Sequence, residues 1–122
     1  MSAAAGRLRL RREQRIRQGR DFLRTKLSGQ RLAVGCLALN WKEKPDGLAR
    51  LGVITSRKIG SAVVRARARR LLREAYRLHQ HELARPAEVV LVARNSIAGK
   101  VFSDVEGDYL TALRRAKLLK AE

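Results

Sequence analysis

Eight basic side chains crowd into the segment "SRKIGSAVVRARARRLLREAYR", residues 56–77, in which Glu74 is the only acid. Several of the arginines recur every four residues, so a helix would stack them along one flank. Like charges at that spacing repel each other, and the guanidinium fork fits pairs of phosphate oxygens. The segment is therefore expected to bind the phosphate groups of another molecule. The basic residues are Arg57, Lys58, Arg65, Arg67, Arg69, Arg70, Arg73 and Arg77.

The charge of the whole chain supports a polyanionic partner. Its 122 residues include 28 Lys and Arg against 11 Asp and Glu, a formal net charge of +17. A field of that sign concentrates polyanions, so nucleic acid is the first candidate and an anionic membrane surface the second. The membrane alternative is weak, because the basic residues lack the Trp, Phe and Leu pattern of an interfacial helix and no apolar run is long enough to span a bilayer.

Catalytic motifs are missing from the sequence. The histidines, His79 and His81, lie two positions apart and diverge on a helix, so they cannot share a metal ion. Ser96 lacks the glycines of a nucleophile elbow, and there is no P-loop. We expect no catalytic residue and no metal site, with a carboxylate site near the last helix as the weaker alternative. The acids there are explained as partners of the helix dipole: Asp104, Glu106 and Asp108.

The N-terminal half is expected to supply a platform for the basic segment. Residues 1–14 read as a basic, flexible arm and residues 15–122 as one RNA-binding domain. "GRDFLRTKL" has helical spacing, while the apolar run 31–41 and the run 48–56 predict two strands of an antiparallel hairpin. Cys36 has no partner for an internal disulfide and is expected to be a buried small hydrophobe.

The C-terminal half is expected to hold the basic helix against a sheet. From Ser61 onward an apolar stripe predicts a helix whose core residues are Val64, Ala68, Leu71, Ala75 and Leu78. "AEVVLVAR" follows as a strand, and Ser103 or Asp104 would cap a final helix. The order indicates an α+β sandwich with helices packed on one sheet.

The basic segment favours RNA over DNA. Helices that read DNA bases usually offer Asn, Gln, Ser or Thr beside Arg, whereas here Ala66 and Ala68 stand between the arginines. Such a helix suits the backbone and shape of structured RNA. Aromatic residues are few, and Phe22 or Trp41 could serve as a stacking platform.

The stretch "RLGVITSRKIGSAVVRARARRLLREAYR", residues 50–77, resembles the signature of the bacterial ribonuclease P protein family. The similarity extends more loosely to "RIRQGRDF" at 15–22 and "VVLVAR" at 89–94. The resemblance implies an α-β-β-β-α-β-α two-layer sandwich, like domain 2 of ribosomal protein S5, with a left-handed βαβ crossover. It also adds a strand to those read from the sequence.

The resemblance implies a function in tRNA processing. The protein would bind the catalytic RNA and the 5′ leader of precursor tRNA, assisting Mg²⁺-dependent removal of the leader, with Mg²⁺ held mainly by the RNA. It would be a cytoplasmic, monomeric protein, with the leader in a cleft between the basic helix and the sheet. The RNA-binding residues implied are Arg57, Lys58, Arg65, Arg67, Arg69, Arg70 and Arg73, and the leader-cleft residues are Phe22, Lys26 and Asn40.

Three positions depart from the family pattern. Ala66 replaces the asparagine of an Arg-Asn-Arg motif, Lys26 replaces an aromatic residue, and Asn40 stands where tyrosine is common. Contact with the leader is therefore expected to rely more on charge and less on stacking. A structural RNA-binding protein of the ribosomal type and a helix-turn-helix DNA binder remain the alternatives, the latter disfavoured by the surrounding strands.

Overall fold

The computed structural model describes residues 29–44, 47 and 49–120, in which two helices pack on one face of a four-stranded sheet. The predicted arm, the helix at 19–27, Phe22, Lys26 and the boundary near residue 14 lie outside these residues. The strands are β1 Gln30–Val34, β2 Leu37–Glu43, β3 Arg50–Ile54 and β4 Ala87–Ala93, and the helices are α1 Ala62–His79 and α2 Phe102–Arg115. Short 3-10 turns span Arg57–Ile59, Gln80–Glu82 and Asn95–Ile97.

The sheet is mixed and its strand order is β1-β2-β4-β3. β1 and β2 are antiparallel, as are β2 and β4, whereas β3 runs parallel to β4 with Val53 beside Leu91. Helix α1 is thus the crossover of a β3-α1-β4 unit, since parallel neighbours need such a connection. The α+β class is confirmed, and the hand of the crossover stays a prediction from the resemblance.

The predicted hairpin is wrong in its first strand and its pairing, whereas its second strand is confirmed as β3. The run 31–41 contains two strands, β1 and β2, joined at Gly35 and Cys36, and β4 lies between β2 and β3. Gly35 has φ +55, and a Cβ there would lie 2.2 Å from Oδ2 of Asp108. Only glycine fits a left-handed turn with so close a neighbour, but the turn is hidden in the sequence because apolar residues flank it on both sides.

Helix α1 begins where the sequence predicts, with Ser61 as its N-cap accepting a hydrogen bond from Val64 N at 3.3 Å. Its buried side chains are Ala68, Leu72, Ala75 and Tyr76. The predicted core positions Val64, Leu71 and Leu78 are only half-buried. Because α1 packs against α2 as well as the sheet, it buries a wider and slightly rotated arc than one apolar stripe predicts.

Helix α2 begins earlier than predicted, and its acids have different partners. Val101 is the N-cap, and its N–H donates to Asp104 Oδ2 at 3.3 Å, so Asp104 supports the first turn as expected of a dipole partner. Asp108 instead accepts a hydrogen bond from Cys36 N at 2.9 Å, which ties the β1–β2 turn to α2. Burial, followed by the neighbouring Asp108, raises the pKa of the Cys36 thiol to about 12, so the thiol stays protonated.

The core fills the space between the sheet and the two helices. Tyr76 and Tyr109 are fully buried, and Trp41 is 6% exposed, so Trp41 belongs to the core and is not a stacking platform. Close packing of this kind holds α1 in a fixed position on the sheet.

Candidate nucleic-acid interface

The β3–α1 junction presents basic side chains at the start of a helix. Ile59 is buried and fixes the 3-10 turn Arg57–Ile59, while Arg57 and Lys58 are exposed. Gly60 follows with φ +151, where a Cβ would press on Val64 at 3.2 Å. Helix α1 then begins, and the N–H groups of its first turn carry partial positive charge. The junction therefore places two flexible cations beside the positive end of a helix dipole.

The outer surface of α1 carries the remaining arginines of the segment. Arg70 and Arg73 are exposed, whereas Arg65, Arg67 and Arg69 are half-buried. Acidic residues are absent from α1 until Glu74, near its C-terminal end. The structure thus brings all seven predicted RNA-binding residues onto α1 and the junction before it.

Two half-buried arginines of this surface differ in their hydrogen bonds. Nη1 of Arg69 donates to the hydroxyl oxygen of Thr55 at 2.8 Å, just beyond the end of β3. Nε of Arg65, one helical turn earlier, is buried without a hydrogen-bond acceptor. An N–H left in that state costs free energy until an acceptor arrives, and a phosphate oxygen is a suitable one.

Much of the basic surface carries unpaired charge within the described residues. Within the described residues, Arg57, Lys58, Arg65, Arg67 and Arg70 form no ion pair. Each described carboxylate is engaged elsewhere: Glu43 with Arg85, Glu74 with Arg77, Glu82 and Glu106 with His79, Glu88 with Arg50, Asp104 with Val101 N and Asp108 with Cys36 N.

The C-terminal end of α1 is, by contrast, a set of paired charges. Arg77 donates from Nε and Nη2 to the two carboxylate oxygens of Glu74, both at 2.8 Å. His79 contacts Glu82 through Nδ1 at 2.5 Å and Glu106 of α2 through Nε2 at 2.7 Å. Burial alone would lower the pKa of His79, but the hydrogen bonds to Glu106 and Glu82 outweigh burial and raise it. An imidazole that contacts two carboxylates is best satisfied when both nitrogens are protonated.

A second loop borders the junction. The turn Asn95–Ile97, after β4, lies against the turn Arg57–Ile59, because both follow the ends of parallel strands. Arg94, Asn95 and Ser96 line an open pocket of about 400 Å³ together with Gly35. Nη1 of Arg94 donates to Gly35 O at 3.1 Å. Ser96 therefore lies in a polar recess rather than in a catalytic elbow.

Of the three predicted leader-cleft residues, Asn40 lies within the described part of the chain, and it is on the side of the sheet away from the basic helix. Its neighbours Leu39 and Trp41 face the core under α1 and α2, so Asn40 is on the opposite face of the sheet. It is 1% exposed, its Nδ2 donates to Val90 O at 3.5 Å, and its Oδ1 has no partner. The cleft predicted between α1 and the sheet is absent from the described residues, because core side chains fill that space.

The sequence predicts no role for Thr55 or for Val63. Thr55 is fourteen positions from Arg69, so no helical periodicity connects them. Val63 is 77% exposed at the start of α1, on the basic surface. A single exposed valine is common on protein surfaces, and the predicted apolar stripe begins at Val64 rather than at Val63.

The described residues hold neither a candidate metal cluster nor a candidate membrane-spanning helix. These residues contain no group of three His, Cys, Asp or Glu side chains that could hold a metal ion. None of the described helices is both long and apolar enough to cross a membrane.

Comparisons with known proteins agree on one family. Residues 10–117 match the family model Ribonuclease P. The ribonuclease P protein component of Clostridium novyi is 32% identical over 111 residues, covering 89% of this chain and 98% of that protein. The component from Syntrophomonas wolfei is 36% identical over 104 residues, covering 85% and 87%.

Solved structures show the same fold. The RNase P protein from Thermotoga maritima matches with a TM-score of 0.74 at 26% identity, covering 83% of this chain and 96% of that one. The Staphylococcus aureus RNase P protein matches with a TM-score of 0.79 at 23% identity, covering 88% and 98%.

Proposed function

This chain belongs to the ribonuclease P protein family, and on that premise we propose that it binds the catalytic RNA and the 5′ leader of precursor tRNA. As a subunit of the tRNA-processing endonuclease it would act in the cytoplasm, as a monomeric protein bound to the RNA. Removal of the leader, which forms the mature tRNA 5′ end, would take place at the RNA.

One observation carries this proposal: within the part of the chain that the structure describes, Arg57, Lys58, Arg65, Arg67 and Arg70 form no ion pair, and the described acids are engaged elsewhere. Self-repulsion on that surface is relieved when phosphates displace the counterions. Arg57 and Lys58 would bind phosphate at the helix start, while the arginines along α1 follow the RNA backbone. Arg65, Arg67, Arg69, Arg70 and Arg73 are the residues assigned to that backbone.

The leader is proposed to pass over the sheet face that carries Asn40. This assignment rests on the resemblance, which places Asn40 among the leader-cleft residues. Because Asn40 is 1% exposed, the leader would contact the side chains around it rather than its buried amide. Phe22 and Lys26, outside the described residues, are proposed to add one apolar and one charged contact.

The RNA, rather than the protein, is proposed to hold the Mg²⁺ that activates the attacking water. The donor set of the chain supports this, since its described carboxylates already serve internal hydrogen bonds and ion pairs. The residues of the protein would neutralise phosphates and orient the substrate, which lowers the Mg²⁺ concentration at which the RNA folds and cleaves.

The decisive experiment is cleavage of precursor tRNA by bacterial ribonuclease P RNA at low Mg²⁺, with and without this protein. We expect the protein to accelerate cleavage at the mature 5′ end by roughly tenfold or more, because it replaces much of the charge screening that Mg²⁺ provides. A double variant, Arg67→Ala with Arg70→Ala, serves as the matched control and should stimulate less. Tight RNA binding without stimulation would instead favour a structural RNA-binding protein, and preference for duplex DNA would favour the helix-turn-helix alternative.

A further inference from the structure

A neutral hydroxyl group holds Arg69 of α1, whereas a carboxylate holds Arg77. The Arg69 guanidinium donates to Thr55, a neutral hydroxyl located between β3 and the 3-10 turn Arg57–Ile59. Both side chains are half-buried, so the hydrogen bond is partly shielded from water. The contact joins the middle of α1 to the strand that precedes the helix.

The chemistry of the acceptor decides what remains for a partner. Arg77 is also fixed, but by the carboxylate of Glu74, which neutralises its charge and occupies one edge of its guanidinium. Thr55 accepts one hydrogen bond and adds no negative charge. Arg69 therefore keeps its full positive charge and most of its five N–H donors, while it loses much of its rotamer freedom.

We propose that Thr55 is a positioning residue for RNA binding, whose hydroxyl directs the Arg69 guanidinium towards the phosphate that the β3–α1 junction binds. This inference rests on the proposed function, because it assigns the RNA phosphate as the ligand of Arg69. A long side chain that is ordered before binding loses less entropy when it contacts phosphate.

The test compares two substitutions that differ in the hydroxyl group. Thr55→Val keeps the branched shape and removes the hydroxyl, whereas Thr55→Ser keeps the hydroxyl and removes the methyl group. Each is measured alone and with Arg69→Ala for binding to ribonuclease P RNA at one fixed salt concentration. Melting temperatures within about 2 °C of the unsubstituted protein would show that the fold is unchanged.

We expect Thr55→Val to weaken RNA binding by roughly three- to tenfold, which is the effect of ordering one long side chain. Thr55→Ser should bind within about twofold of the unsubstituted protein. In the Arg69→Ala background, Thr55→Val should cause no further loss, because its effect passes through Arg69. Binding unchanged by Thr55→Val, or losses that add in the double variant, would overturn the inference.

A second measurement separates this inference from the proposed function. In the free protein, nitrogen-15 relaxation of the Arg69 Nε–H should show greater mobility in Thr55→Val than in Thr55→Ser or the unsubstituted chain. Equal mobility in all three would disprove the positioning role, whatever the RNA does. If the unsubstituted protein failed to bind the RNA, the proposed function would fall, and the RNA part of this inference with it, while the relaxation data would still decide whether Thr55 orders Arg69.

Discussion

The two ends of helix α1 treat charge in opposite ways. The N-terminal part presents Arg65, Arg67 and Arg70 without an ion pair among the described residues, whereas the C-terminal end pairs Arg77 with Glu74 and His79 with Glu82 and Glu106. Both ends belong to one rigid helix on one core. Among the described acids, Glu74, Glu82 and Glu106 stabilise the end of α1 that meets α2. The other end is the one that the proposed function assigns to RNA.

This division has a measurable cost. Like charges four residues apart destabilise a helix by about 0.2 to 0.5 kcal/mol per pair, and the sequence stacks three such pairs from Arg65 to Arg77. The buried contacts of Leu72, Ala75 and Tyr76 offset that repulsion. Binding and folding therefore make opposite demands on the same helix.

The largest effect on RNA affinity is expected from an acid placed on the N-terminal part of α1, where Arg65, Arg67 and Arg70 form no ion pair among the described residues. Arg70→Glu would put a carboxylate three residues from both Arg67 and Arg73, where it pairs with them and repels phosphate. We expect RNA affinity to fall roughly 30- to 100-fold, while the free energy of unfolding stays the same or rises. Binding titrations and chemical denaturation measure the two quantities.

Arg114→Glu is the matched control for that variant, because it makes the same charge change on an exposed arginine of α2. It should alter RNA affinity by less than about threefold, since it acts only through the long-range field. Equal losses in the two variants would mean that net charge, rather than the surface of α1, determines RNA binding.

Removing the charge at the paired end should act on stability instead. His79→Gln keeps a polar side chain but not the imidazolium, and we expect it to lower the free energy of unfolding by about 1 to 2 kcal/mol near pH 6. RNA affinity should be unchanged. A loss of RNA affinity with no loss of stability would contradict the division between the two ends.

The pH dependence of stability tests the same end of the helix. Because the pKa of His79 is raised in the folded protein, its contribution is fully present below the unfolded value of about 6.5 and is lost as the pH rises through the raised pKa. Denaturation across this range should show the loss in the unsubstituted protein and not in His79→Gln. His81→Gln, at a side chain that is 61% exposed, should keep the dependence.

The smallest expected effect concerns whether the unpaired end works by charge alone. Ala66→Asn restores the polar residue of the family motif between Arg65 and Arg67. We expect a gain in RNA affinity of about two- to threefold from one new hydrogen bond, with a loss of about 0.5 kcal/mol in helix propensity. An unchanged affinity would show that the arginines bind without a polar contact at position 66.

The sequence predicted the parts of the site that depend on neighbouring residues. Helix α1 follows from Ser61, the apolar spacing and the arginines, and β4 follows from its β-branched run after Pro86. The turn at Gly35 was missed because its evidence is the hydrogen bond from the neighbouring Cys36 to Asp108, 72 positions further along the chain. Thr55 with Arg69, and His79 with Glu106, likewise depend on which elements pack together, and the chain order does not reveal that packing.

The strand order has a consequence for how the chain is made. β4 is the last strand to be synthesised, yet it lies between β2 and β3 and joins them. Until residues 87–93 leave the ribosome, β3 has no partner strand and α1 has no complete platform for its apolar face. The nascent chain therefore exposes an apolar and arginine-rich segment beside ribosomal RNA before its sheet is complete, and segments exposed in this way are prone to misfolding.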